Sequence, residues 1–473
     1  MGCIDPAGVW QWAVRVGAAG PDGARDIACS TTGFVYVCGE FSGTASFGST
    51  TLTSAGYDDA FIAKLDADGN WLWAVRGGGI YGDSCLNFSL KHVLFYDEVY
   101  VTGCFEGTAA FGSTTLTSQG ARDLFVGRLG SDGSWNWAIR AGGSGIYEIP
   151  SDICRLGSNL FIAGSFTGSA GFGSTTLTAN GDWGDGFIAK LDNDGNWIWA
   201  LHCGGTDTSG PGAICTDGAN IYVTGSFEGS LTLGATTLSS QGAYDGFAGR
   251  ISPDGAWLWA LGVGGSGDDY CYDALADPSA GAFVTGSFSN SVTFGSTTLA
   301  SAGSADIFVM KLSAAGAHIW TKQAGGIGFD AGNFIARDPA RERYYVTGLF
   351  GNTALFDGHP VTNQEGNWDV YVARLDEYEV CPQAPQNLSL TMTAAYEDDP
   401  PILFYNETLT WDPVSLDTHG RPVIPDTYRI YYWIPGWDNY HWFGSTQQCQ
   451  WTHNIQGDTQ PAIGFYKIVA EKY

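Results

Sequence analysis

Apolar and polar residues alternate with a period of two through most of the chain, in short runs broken by Gly, Asp and Ser. This pattern predicts half-buried β-strands joined by tight turns. Asp59–Gly79, DAFIAKLDADGNWLWAVRGGG, shows it best: an alternating run, an Asp-Gly turn, and a second run with two tryptophans on one face. Asp-Gly between such runs predicts a hairpin. The hairpin recurs at 123–143, 185–205, 245–265 and 306–326, with one half of it at 4–17 and the other half at 369–377. The second Trp of each copy falls at 12, 73, 137, 199, 259 and 320, a spacing of 60 to 64 residues. A fixed period of this size signals a repeat architecture.

A second hairpin lies between successive copies, as in AICTDGANIYVTGSF (213–227), followed by a short insert such as FGSTTLTSAG (47–56). Each unit thus predicts four antiparallel strands plus a small insert, the composition of a β-propeller blade. Five units are complete between about residues 24 and 322, and the sixth, 331–377, lacks its W-x-W strand. The chain starts with that strand, GVWQWAVRVG, so residues 9–16 are expected to pair with 369–375 and shut a six-bladed ring with no free edge. A solenoid has no reason to split a repeat. The fold expected is all-β: a six-bladed propeller over 1–377, a Pro-rich linker over 378–386 (YEVCPQAPQ), and a small sandwich over 387–473.

The repeat resembles the bacterial β-propeller repeat family called SBBP, most closely in GSGDDYCYDALADPSAGAFVTGSF followed by DIFVMKL, and the likeness covers roughly 4–377. The family's name implies seven blades where this chain offers six. It implies a surface or secreted protein and brings no catalytic residues. PQNLSLTM, LTWDPV, DTYRIYYW and FYKIVAEK are similar to a fibronectin type III domain, with Trp411 as its core tryptophan and Tyr466 on a late strand.

Composition narrows the function. A formal charge of −28 repels phosphate backbones and argues against nucleic acid. No apolar run spans a membrane, MGCIDPAG lacks the regions of a signal peptide, and Pro6 spoils a myristoylation site. Cys29, Cys154 and Cys215 share a repeat position with Ala276, which predicts small buried sites and free thiols; Cys381 with Cys449 stays open as a pair.

The repeated residues read as structural. Asp59, Asp123, Asp185, Asp245, Asp306 and Asp369 precede the third strand, each with a base five residues on: Lys64, Arg128, Lys190, Arg250, Lys311 and Arg374. Opposite faces of a strand separate each pair, so each side chain should reach a neighbouring blade or turn. The W-x-W tryptophans, 11 of 18, should pack between blades, with His318 a packing variant. LDADGN and LDNDGN are turns rather than calcium loops. No nucleophile elbow, zinc helix or phosphate loop is present, so neither enzyme, metal nor cofactor is expected.

What differs between copies is the loop from each W-x-W strand to the next unit. Tyr81, Tyr147, Tyr270 and Phe329 offer aromatic faces there, beside Asp83, Glu148, Asp268, Asp269 and Asp330. They form the expected ligand site at a channel mouth. Trp437, Tyr440 and Trp442, within YYWIPGWDNYHWFG, are a secondary patch for sugar or for docking. The expected role is a non-catalytic, extracellular or cell-surface adhesion protein with a protein or glycan partner. The alternatives are a virion or fibre decoration protein and a polysaccharide hydrolase or lyase.

Overall fold

The computed structural model describes residues 1–375, apart from 5–8, 18–19, 94–95, 182, 278–280, 339–342 and 364–367, and the backbone of six strands beyond them. The described residues hold strands and turns and no helix. The chain divides into two compact units, Met1–Arg374 and Leu375–Tyr473.

In the first unit the alternating runs fold as expected into antiparallel sheets. Sheet one is β3 (Asp22–Cys29), β4 (Val35–Phe47), β5 (Thr50–Leu65) and β6 (Trp71–Gly79), in that order from inner to outer strand. Its third strand is buried throughout Ala60–Leu65, because sheets cover both of its faces. The same order recurs in sheets two to five; sheet six has three strands, Ala331–Asp338, Arg343–Phe350 and Asp369–Leu375.

Two repeated contacts join one sheet to the next. The glycine pair ending each outer strand lies against the next unit's insert, as in Gly78↔Ala110 and Gly325↔Leu355. A Cβ on Gly79 would sit 2.1 Å from the Thr108 carbonyl oxygen, so only glycine allows this approach. The second Trp of each outer strand reaches the next unit's Asp-Gly turn. Its indole N–H donates from Trp12 to Ala67 O (2.8 Å), Trp73 to Ser131 O (3.0 Å), Trp137 to Asn193 O (3.1 Å) and Trp259 to Ala314 O (2.9 Å). The Trp199 N–H lacks such a bond, and the equivalent Pro253 carbonyl accepts from Lys190 Nζ at 2.8 Å. The turn glycine, at φ 82° in Gly69 and Gly133, leaves room for the indole. The first Trp lies edge-on to its own unit's insert phenylalanine, with Trp71–Phe47 and Trp135–Phe111 centroids each 5.2 Å apart. Such a pair contributes about 0.5–1.5 kcal/mol beyond its buried area. The indole N–H of this first Trp reaches back to the preceding outer strand, from Trp135 to Arg76 O at 3.2 Å and from Trp197 to Arg140 O at 3.4 Å.

The acid row is structural. Asp59 accepts Ala55 N–H at 2.9 Å, closing the insert, and pairs with Arg76 on the outer strand at 2.7 Å. Arg140, His202 and Gln323 do the same for Asp123, Asp185 and Asp306. The bases five residues on meet other partners, as expected: Lys190 and Arg250 reach the next unit's turn, and Arg128 and Lys311 pair with Glu98 and Asp277.

Two expectations need correction. Trp10–Ala13 (β2) pairs with Gly2–Ile4 (β1) and not with 369–375. The outer edge of Asp369–Leu375 has no strand partner among the described residues. Nor do the three cysteines share a position. Cys29↔Val35 matches Arg155↔Leu160, one residue past Cys154↔Phe161. A one-residue shift flips the face, and Cys29 is exposed while Cys154 is buried.

The second unit contains two three-stranded antiparallel sheets: Ser389–Asp398, Pro401–Thr410 and Gln450–Gln456; and His441–Thr446, Thr427–Trp433 and Phe465–Glu471. Trp411, Trp437, Tyr440, Cys381 and Cys449 lie outside the described residues, as does the side chain of Trp442.

Candidate functional site

The loops entering each inner strand and the ends of the inserts share one end of the sheets. Short bridges tie them together, Arg122↔Tyr147 and Ala305↔Phe329, and the Asp83 N–H donates to Asp58 O at 2.8 Å.

Four of the five expected ligand carboxylates are not on offer there. Asp83, Glu148, Asp269 and Asp330 are fully buried. Asp83 accepts the Gly79 N–H at 2.6 Å and the Glu106 N–H at 3.1 Å, fastening the outer strand of one sheet to the second strand of the next. Asp269 does this through Gly265 and Ser289, and Asp330 through Gly326 and Gly351. Desolvation pushes Asp83 up to about 7 and Asp269 up to about 6, against the backbone donors that pull them down. Neither oxygen of Glu148 makes a well-formed hydrogen bond; burial first, and the Asp123 carboxylate second, push it up to about 8. Asp268 alone stays exposed, accepting the Tyr244 N–H.

The aromatic half of the expectation fares better. Tyr81 is 46 % exposed and lies over Gly107. Tyr147 donates its hydroxyl to Trp183 O at 3.1 Å, and Phe329 meets Trp368 edge-on at 6.2 Å. Tyr270 is the middle of a stack, Tyr244–Tyr270–Tyr272, with centroids 5.6 and 5.7 Å apart. Tyr57, Trp183 and Trp368, 74 %, 76 % and 57 % exposed, complete this rim and escaped the sequence reading. The available signal was a large aromatic one or two residues before the repeated Asp.

Between the inner strands lies a second set that the sequence reading missed. Asp26, Asp152 and Asp273 follow a bulge in sheets one, three and five. Each accepts a backbone N–H from the next sheet: Phe88 at 3.1 Å, Ile214 at 2.8 Å and Ile335 at 2.8 Å. Asn87 Nδ2 donates to Ser151 O in the same way. Desolvation first, then the Asp273 and Asp26 charges for Asp152 and the Asp26 charge for Asp273, push Asp152 and Asp273 each up to about 7. Among the described residues no cluster of His, Cys, Asp and Glu has the geometry to hold a metal ion.

No family model matches the chain. It is 26 % identical over 295 residues to the regulatory protein FlaEY of Caulobacter vibrioides, across 56 % of this chain and 30 % of that protein. To an uncharacterized WD repeat-containing protein of Acanthamoeba polyphaga mimivirus it is 26 % identical over 177 residues, 33 % of this chain and 12 % of the other. The chain thus spans less than a third of either relative. Among solved structures, a puromycin hydrolase superposes with a TM-score of 0.36 at 12 % identity, covering 87 % of this chain and 57 % of that one.

Proposed function

We propose that this chain is a non-catalytic binding protein of exposed, extracellular surfaces, whose six repeat units are the blades of a propeller completed by the N-terminal W-x-W strand. The aromatic rim carries the reading. Tyr57, Tyr81, Trp183 and Trp368 stand exposed at one end, several of them fixed by neighbouring loops, while the buried acids nearby are committed to backbone N–H groups. Side chains already ordered lose little entropy on binding. Aromatic faces stack on the CH faces of sugars, and exposed Asp268 accepts hydroxyl protons. A charge of −28 favours neutral or cationic partners over anionic ones. Blade closure is supported by Trp12, which meets Ala67 as Trp73 meets Ser131.

The test is an array of neutral and amino-sugar oligosaccharides, read with the full chain and with Tyr81→Ala/Trp183→Ala and Asp268→Ala. Binding that weakens roughly tenfold or more in the rim variants supports the reading. Survival in these, with loss in Trp437→Ala, moves recognition to the second unit. Turnover of any glycan overturns the non-catalytic assignment.

A further inference from the structure

The repeat fails to reproduce itself at one seam, between sheet six and sheet one. Val370 and Val372 are 78 % and 61 % exposed, whereas Ala60, Ile62, Leu124, Val126, Ile307 and Val309 at the same positions are buried. Across the seam Ile27 is 50 % exposed, against 6 % or less for Phe88, Ile153, Ile214, Ala274 and Ile335. A cleft of about 270 Å³, lined by Met1, Val14, Asp22, Ala24 and Phe61 among others, opens beside it. β2 already occupies the place of the outer strand preceding sheet one, since Trp12 donates to Ala67 O and packs on Gly69 as Trp73 does on Gly133.

β1 holds the edge that sheet six would need. Its register on β2 is Gly2↔Ala13, Cys3↔Trp12, a bulge, then Ile4↔Trp10, with the Val14 N–H bonded to Met1 O. In sheet one the third and outer strands pair as Ala63↔Ala74, Lys64↔Trp73, a bulge, then Leu65↔Trp71. Register and bulge coincide. Met1–Ile4 therefore stands in for the end of a third strand, the part that Val372–Leu375 plays in sheet six by alignment of Asp369–Leu375 with Asp59–Leu65.

We infer that Met1–Ile4 and Val372–Leu375 compete for the inner edge of Trp10–Val16, so that the propeller exchanges between an open form, with β1 on that strand, and a closed form, with 369–375 on it. The inference rests on the closed six-blade reading above. Closure buries Val370 and Val372 beneath the W-x-W strand and gives Tyr345, which holds the register position of Tyr36 and Tyr100, the tryptophan that those two have in Trp73 and Trp137. It also sets Arg15 toward Asp369, as Arg76 sits on Asp59. The open form leaves a strand edge with two bare valines, an acceptor for any chain bringing a matching strand.

Hydrogen exchange of the full chain, followed on the peptide 369–375, tests this. Cys3→Pro removes a β1 donor without touching β2, and deletion of residues 1–4 is the second variant should the proline disturb folding. Both are expected to raise protection of 369–375 by roughly tenfold or more, with 10–16 still protected and no dependence on protein concentration. Full protection in wild type and variants alike leaves closure standing and overturns the competition. Absence of protection in all of them overturns both. Protection that grows with concentration makes a second copy the strand donor, and the exchange within one chain is then wrong.

Discussion

Replacing Glu148 by Gln separates the pH dependence of one buried acid from that of the whole fold. Glu148 is fully buried beside Asp123, which is itself held by Arg140. Gly142 allows the two acids to meet: a Cβ there would lie 2.5 Å from Asp123 Cγ and 2.8 Å from a Glu148 carboxyl oxygen. Desolvation and the Asp123 charge hold the Glu148 proton up to about pH 8. In the unfolded chain a glutamate titrates near about 4.3. A folded pKa above the unfolded one gives a contribution that is complete below about pH 4.3 and is lost as pH rises toward about 8. The slope between those limits is about 1.4 kcal/mol per pH unit, so about 2.7 kcal/mol is lost from pH 5 to pH 7. Gln keeps the shape, carries no proton to lose, and can donate from its amide to Asp123. Urea unfolding followed by tryptophan fluorescence, at steps between about pH 5 and 8, should show Glu148→Gln gaining on wild type by that slope. Asp83, Asp152, Asp269 and Asp273 titrate in both proteins and cancel in the difference. Parallel stability curves would refute the assignment of a neutral Glu148.

Three further outcomes follow from the packing. Raising pH through about 7 should charge Asp152 and Asp273, beside the Asp26 carboxyl and the Cys154 and Cys215 thiols, and speed exchange at the Ile214 and Ile335 amides they hold beyond the ordinary base-catalysed rise; Asp152→Asn should blunt the change at Ile214. Trp73→Phe keeps a ring but loses the bond to Ser131 O, costing about 1 kcal/mol, while Trp73→Ala should cost about 3–5 kcal/mol in denaturant unfolding. Native alkylation followed by mass spectrometry should label Cys29 and spare Cys203 and Cys271 until denaturant is added.

The strands were legible because alternation is local: whether Ile62 or Lys64 faces a neighbouring sheet depends on residues within a hairpin of it. The indole contacts were not. Trp73 ends on Gly133, one unit on, and both the W-x-W strand and the Asp-Gly turn can be explained without each other. For the loop acids, residue type misled and position would have corrected it. Asp83, Asp269 and Asp330 each stand four residues after the last glycine of the outer strand, in Gly79, Gly265 and Gly326. A variable loop that keeps one acid at one distance from a fixed glycine is fastening backbone. The split repeat suggested closure, but Met1–Ile4 was not read as a third-strand end, although Ile4-Asp5 ahead of Gly8 and Trp10 parallels Leu65-Asp66 ahead of Gly69 and Trp71.

Function in a repeat array has to lie where its symmetry is broken, since six equal positions distinguish no ligand orientation. The acids bound to Ala55, Gln119 and Gln241 are equivalent and carry no such information. The inner set breaks symmetry by alternation: Asp26, Asp152 and Asp273 are separated by Asn87, Ala213 and Phe334. Alternation keeps like charges in adjacent sheets apart, and the backbone bonds to Phe88, Ile214 and Ile335 occupy the oxygens. That is an arrangement for holding sheets together near neutral pH. The rim breaks symmetry without such spending: Tyr57 and Trp183 have no equivalent in sheet five, where Ser304 stands two residues before Asp306. Large apolar surface left in water costs free energy at each of these positions, and neither the inserts nor the inner strands recover it. The partner proposed above for the aromatic end would recover it.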